Sequence, residues 1–78
     1  MKTKVSMTVR KGRKVLGTSI IDYAKAIDQI INITGGAYEA IRCKDLLVEG
    51  KSYKLTNPNN GLRATYTPLY GNDYSLSD

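Results

Sequence analysis

The side chains best suited to chemistry in this chain are cations. Lys2, Lys4, Arg10, Lys11, Arg13 and Lys14 place six positive charges ahead of the first carboxylate, Asp22. The rest of the chain holds six cations against seven acids, so the net charge of +5 originates in the N-terminal quarter. A short basic run such as Lys11-Gly12-Arg13-Lys14 suits phosphate, because each contact releases a condensed counterion and makes binding fall steeply with salt. The same charges have a plainer use, since lysines on an exposed strand blunt edge pairing and keep a small protein soluble. Farther along, Tyr53 lies between Lys51 and Lys54, and Tyr66 lies three residues beyond Arg63. Cations interleaved with rings are what single-stranded nucleic-acid platforms use, the ring stacking a base and the cation holding phosphate. Both tyrosines also alternate with polar neighbours, as the inward residues of strands do. The candidate contacts to RNA or DNA are therefore Lys4, Arg10, Lys11, Arg13 and Lys14, joined by Lys54 and Arg63, with Tyr53 and Tyr66 as the candidate stacking rings.

Catalytic chemistry has little to draw on. The chain has no histidine, which removes the commonest general base near neutral pH and the commonest metal ligand. Its acids, Asp22, Asp28, Glu39, Asp45, Glu49, Asp73 and Asp78, are scattered without a pairing pattern. Gly35-Gly36 and Gly50-Lys51 lack the GxxxxGK[ST] spacing that cradles phosphate. Cys43 is flanked by Arg42 and Lys44, and positive neighbours lower a thiol pKa. Against that, most free cysteines are small buried apolar residues, and on a strand Arg42 and Lys44 would point away from the thiol. The expectation is a protein that is not an enzyme, with no catalytic residue, no cofactor and no metal.

The elements that position these groups follow from periodicity. From Lys2 to Arg10 the chain alternates, with Lys4, Ser6, Thr8 and Arg10 on one side and Val5, Met7 and Val9 on the other, which predicts a half-buried strand. Lys11-Gly12-Arg13 supplies a turn, and Lys14 to Gly17 returns as a short second strand. Ser19 then reads as an N-cap with Asp22 three residues later, close to a capping box. Ile20, Ala24, Ile27, Ile30 and Ile31 recur at helical spacing, predicting a helix over about 20–33 that ends at Thr34-Gly35-Gly36. Residues 37–48 are ambiguous. A strand would show Ala37, Glu39, Ile41 and Cys43 on one face, and a helix would line up Tyr38, Ile41 and Asp45, so the strand is favoured because the helix sets an acid on the apolar stripe. Tyr53 and Leu55 alternate with Ser52, Lys54 and Thr56. Asn57-Pro58-Asn59-Asn60-Gly61 is dense turn chemistry, and Leu62 to Thr67 reads as the returning strand.

The order is β-β-α-β-β-β, or β-β-α-α-β-β if residues 37–48 are helical. One amphipathic helix must bury its stripe on a sheet, so the expected fold class is α+β, a small antiparallel sheet of hairpins with one helix packed across it. Seventy-eight residues with 41% hydrophobic and 24% charged side chains suit one globular domain, expected over 1–70, with 71–78 as a flexible tail. No apolar run approaches the roughly 20 residues of a membrane span, and the basic start is not followed by the apolar stretch of a signal peptide. A lone cysteine fits a reducing compartment, so a cytoplasmic protein is expected. The leading functional expectation is a non-enzymatic domain contacting RNA or DNA phosphates through an N-terminal basic hairpin. The alternative is a protein-interaction module, an inhibitor or regulator of an acidic protein partner or a homodimer through a strand edge; the small, His-free, Ile- and Tyr-rich composition would suit a phage-encoded accessory protein.

Overall fold

A computed structural model describes residues 3–75. Strand β1 (Lys4–Lys11) turns into β2 (Lys14–Asp22), helices α1 (Tyr23–Thr34) and α2 (Tyr38–Val48) follow, and β3 (Tyr53–Thr56) and β4 (Arg63–Pro68) complete the chain. The four strands form one antiparallel sheet in the order β2-β1-β4-β3. The α+β class read from the sequence is the class observed. Two non-consecutive strands, β1 and β4, lie at the centre, so the first and last elements close the sheet around each other.

The first hairpin forms where expected. Its turn needs Gly12, which sits at φ +61°, a region that costs a residue with a Cβ. The second strand is longer than its sequence pattern suggests. It runs to Asp22 and pairs Ser19 with Met7 and Ile21 with Val5, so Ser19 is no N-cap and the helix begins at Tyr23. Thr18, Ile20 and Ile21 are β-branched and gain more from the β1 ladder than from helical propensity. The cap residue is Asp22, whose side chain makes no cap hydrogen bond and instead pairs with Lys4 Nζ. The Tyr23 N–H donates to Thr3 O at 2.7 Å, which satisfies one of the helix's first donors. Leu16 has no partner on β1, because the register shifts between Val9 and Arg10.

Residues 37–48 are a helix rather than the favoured strand. Ala40, Cys43 and Leu47 form its buried stripe. A strand would have carried Glu39 inward beside Ile41 and Cys43; the helix leaves Glu39 half-buried and turns Asp45 outward. The stripe weighed from the sequence is the solvent side, with Tyr38 78% and Ile41 59% exposed. The fold thus follows the second of the two expected orders, β-β-α-α-β-β, with two helices on the sheet.

Both helices lie on the same face of the sheet. Val5, Tyr53 and Tyr66 from the strands join Tyr23, Ala26 and Ile30 of α1 and Ala40, Cys43 and Leu47 of α2 in one cluster. Tyrosine does the work of phenylalanine in this core and keeps its hydroxyl bonded. Tyr53 OH donates to Glu39 Oε2 at 3.0 Å, and Tyr66 OH donates to Gln29 Oε1 at 3.2 Å. The segment expected to fray is docked as far as Tyr74. Tyr74 is 3% exposed, donates its hydroxyl to Lys4 O at 2.6 Å and accepts from Leu69 N–H at 2.7 Å. Its ring meets Tyr23 edge-on at 5.3 Å, and the Asn72 side chain accepts from Lys4 N–H. The rest of the expected tail, 76–78, lies outside the described residues.

Candidate nucleic-acid interface

The strand register fixes which side chains share the face turned away from the helices. Paired residues in a sheet point to the same side, so the outward set can be read row by row. Ser52, Thr67, Ser6 and Ile20 make one row, and Lys54, Thr65, Thr8 and Thr18 make the next. Thr56, Arg63, Arg10 and Val15 follow, with Arg63 directly opposite Arg10. Beyond that row the chain reverses twice: at Gly12-Arg13, where Lys11 faces Lys14, and at the turn over 57–62. Among the described residues, no helix covers this face.

Six of the seven predicted cationic contacts lie toward one end of the sheet, but by register only Arg10, Arg63 and Lys54 share the outward face; Lys11 and Lys14, paired one position beyond the Arg10 row, take the other side of the pleat. Arg10, Lys11, Arg13, Lys14 and Arg63 crowd the hairpin end of the sheet, and Lys54 sits one row in. None of the six has a carboxylate within 4.0 Å among the described residues, where the ion pairs are Lys4–Asp22, Arg42–Glu39 and Lys51–Glu49. Lys4 does not join them. It lies six residues back along β1, about 20 Å away at strand rise, and its charge is already met by Asp22.

Tyr53 and Tyr66 are not stacking rings. They point to the helix side, 4% and 1% exposed, with centroids 6.3 Å apart, and neither has a free face for a base. Burial pushes both hydroxyl pKa values up, Tyr66 to about 12, and for Tyr53 the hydrogen bond to Glu39 adds to the effect. Cys43 has the inert form of the two weighed. It is fully buried, and desolvation pushes its thiol up to about 12, so the flanking Arg42 and Lys44 do not activate it.

The outward hydroxyls are the part of this face that sequence reasoning misses. Thr8 and Thr18 sit 3.2 Å apart, as do Ser52 and Thr67, which leaves each pair with donor capacity for an outside acceptor. The alternation of β1 sets Ser6, Thr8 and Arg10 on one side, and that is the available signal. Their neighbours on β4 and β3 depend on which strand lies beside which. In the turn over 57–62, Asn57 and Asn60 spend their side-chain oxygens on Asn59 and Leu62 N–H, so they brace the loop rather than face a ligand.

A shallow cleft of about 400 Å³ runs between α2 and β3, past Glu39, Arg42 and Leu46. Its one carboxylate is held by the Tyr53 hydroxyl and Arg42. Among the described residues no three His, Cys, Asp or Glu side chains gather as a metal site, and no helix is long and apolar enough to cross a membrane. Comparison with family models, with curated proteins and with solved structures finds no match to this chain.

Proposed function

We propose that this protein is a non-enzymatic binding domain that takes nucleic-acid phosphates on the cationic end of its open sheet face. The observation that carries the reading is the row in which Arg10 stands opposite Arg63, with Lys54 one row in, Lys11, Arg13 and Lys14 at the adjoining hairpin end, and no ion pair to any of them among the described residues. Like charges set directly across strands oppose folding, and a polyanion removes that penalty. A surface of this kind binds by counterion release, so affinity is steeply salt-dependent. The free, buried thiol of Cys43 suits a cytoplasmic setting.

The test is fluorescence anisotropy of labelled nucleic acid titrated at low and at physiological salt. Replacing Arg10, Lys11, Arg13 and Lys14 by Ala should reduce the slope of log K against log salt by up to about 3.6 on B-DNA, at roughly 0.9 for each phosphate no longer neutralised. Unchanged affinity in that variant sinks the assignment.

A second reading, docking on an acidic protein partner, is favoured by one observation. The outer edge of β2 is unpaired and presents Val15, Leu16 and Ile20, each at least half exposed. Such an edge accepts an added strand. A protein partner, or a homodimer seen by light scattering, with no nucleic-acid affinity at low salt would favour it over the first.

A further inference from the structure

Resting on that reading, we infer that the ligand is a duplex, held by its sugar–phosphate backbone, in preference to a single strand. What selects single strands is base stacking on exposed rings. The open face has none. Tyr23, Tyr53, Tyr66 and Tyr74 are in the core, and Tyr38 projects from α2 on the opposite layer. Tyr70 follows the far end of β4, whose last residue is five positions from Arg63, about 16 Å at strand rise. No ring lies among the cations.

What the face does offer is backbone chemistry. Arg10, Arg63 and Lys54 lie beside rows of hydroxyls, Thr8, Thr18 and Thr65 foremost, and hydroxyls and cations are the side chains that hold phosphate oxygens and fix a duplex in place without reading sequence. They are also spread across the sheet. Lys54, Arg63 and Arg10 stand on three adjacent strands, β3, β4 and β1, so the outward cations span two strand spacings, about 10 Å. A preformed sheet meets a stiff duplex with little left to order, whereas a flexible single strand would have to be ordered with no stacking to offset it. Charge density points the same way. Each phosphate contact contributes about 0.9 to the salt slope on duplex DNA and about 0.7 on a single strand, so six contacts give about 5.4 against 4.2.

The experiment is anisotropy with three probes of equal length, a DNA duplex, an RNA duplex and a single strand of mixed sequence, over a salt series. The expected result is that at least one duplex binds about tenfold or more tighter than the single strand at low salt, with the steeper slope. The RNA and DNA arms identify which helical form fits. Equal or tighter binding of the single strand overturns this inference and leaves the phosphate-binding reading standing; no binding of any probe overturns both. Two variants tie the result to the surface. Thr65→Val, which removes an outward hydroxyl on β4, should weaken duplex binding a few-fold with an unchanged salt slope. Lys25→Ala, on α1, should leave it within twofold. A loss with Lys25→Ala as large as with Arg63→Ala would place the duplex elsewhere on the molecule and refute the inference.

Discussion

Arg10 and Arg63 are register partners on the two central strands, and the sign of their interaction makes a prediction about stability as well as binding. Side chains directly opposite in an antiparallel pair have Cβ atoms about 4.5–5.5 Å apart, and splayed guanidiniums sit somewhat farther, about 7 Å. Coulomb's law at that separation in water gives about 0.6 kcal/mol of repulsion. At about 10 mM salt the screening length is roughly 30 Å, so most of that survives; at about 1 M it is roughly 3 Å and about a tenth remains. Replacing Arg63 by Gln should therefore stabilise the fold by about 0.5 kcal/mol at low salt and by almost nothing at high salt. For a chain of this size that is a Tm rise of about 3 °C. The same change should weaken phosphate binding about eightfold at roughly 0.1 M salt, the effect of one contact at 0.9 of a log unit.

The assay is thermal denaturation followed by circular dichroism, for the wild type and Arg63→Gln at both salt concentrations. Strand propensity also differs between Arg and Gln, but that difference does not depend on salt. The informative quantity is thus the change in the Tm difference between the two conditions. A Tm gain that persists at about 1 M salt would mean the repulsion is not its cause. A loss of stability at low salt would refute the reasoning, because Arg63 would then be serving the fold.

Three further outcomes follow from the core, the C-terminal segment and the turn. The Cys43 thiol is raised from 9.0 to about 12 in the folded state, so above pH 9 the unfolded chain releases a proton the native chain keeps, and stability falls with rising pH. That loss approaches about 1.4 kcal/mol per pH unit for this one group, and urea titrations between pH 8 and 10 should show a shallower decline in Cys43→Ala than in the wild type. Tyr74→Phe strips the partners from Leu69 N–H and Lys4 O, and should cost roughly 1–3 kcal/mol in chemical denaturation; a neutral result would mean that the segment around Tyr74 is not held as described. Gly12→Ala puts a Cβ at φ +61° with nothing within 4 Å, so only backbone strain acts. The expected loss is about 1 kcal/mol, read from the midpoint of urea unfolding.

What the sequence reveals depends on whether the deciding contact is local. The first hairpin is legible because Lys4 to Arg10 alternates cleanly and Gly12 allows the turn. The last hairpin is legible for the same reasons, through Tyr53, Leu55 and the Asn57 to Gly61 turn. Ile20 misleads because its spacing to Ala24, Ile27 and Ile31 fits a helix, while its pairing with Ser6 depends on β1. Helix α2 hides its stripe. Two of its three inward residues, Ala40 and Cys43, are small, with Leu47 the third, and the larger Ile41 and Tyr38 face solvent. At the site, the hairpin cations are visible as a cluster, but nothing local says that Arg63 stands opposite Arg10. That depends on β4 inserting between β1 and β3.

The placement of these cations also bears on the plainer use of charge, solubility and edge protection. Charge on edge strands is one protection against strand addition, alongside bulges and short edge strands. Here Lys14 and Lys54 stand on the two edge strands, and the register shift at Leu16 interrupts β2, while Arg10 and Arg63 stand on the two inner strands, whose edges are already paired. Solubility is served by charges of both signs spread over the surface. The helical stretch from Tyr23 to Lys51 meets that description, four cations balancing four acids. The excess lies on the sheet, gathered at one end where neighbouring like charges oppose folding. In a domain this small, with net stability on the order of a few kcal/mol, a like-charged pair on the inner strands guards no edge and weakens the fold, and that is the ground for proposing that an anion is bound there.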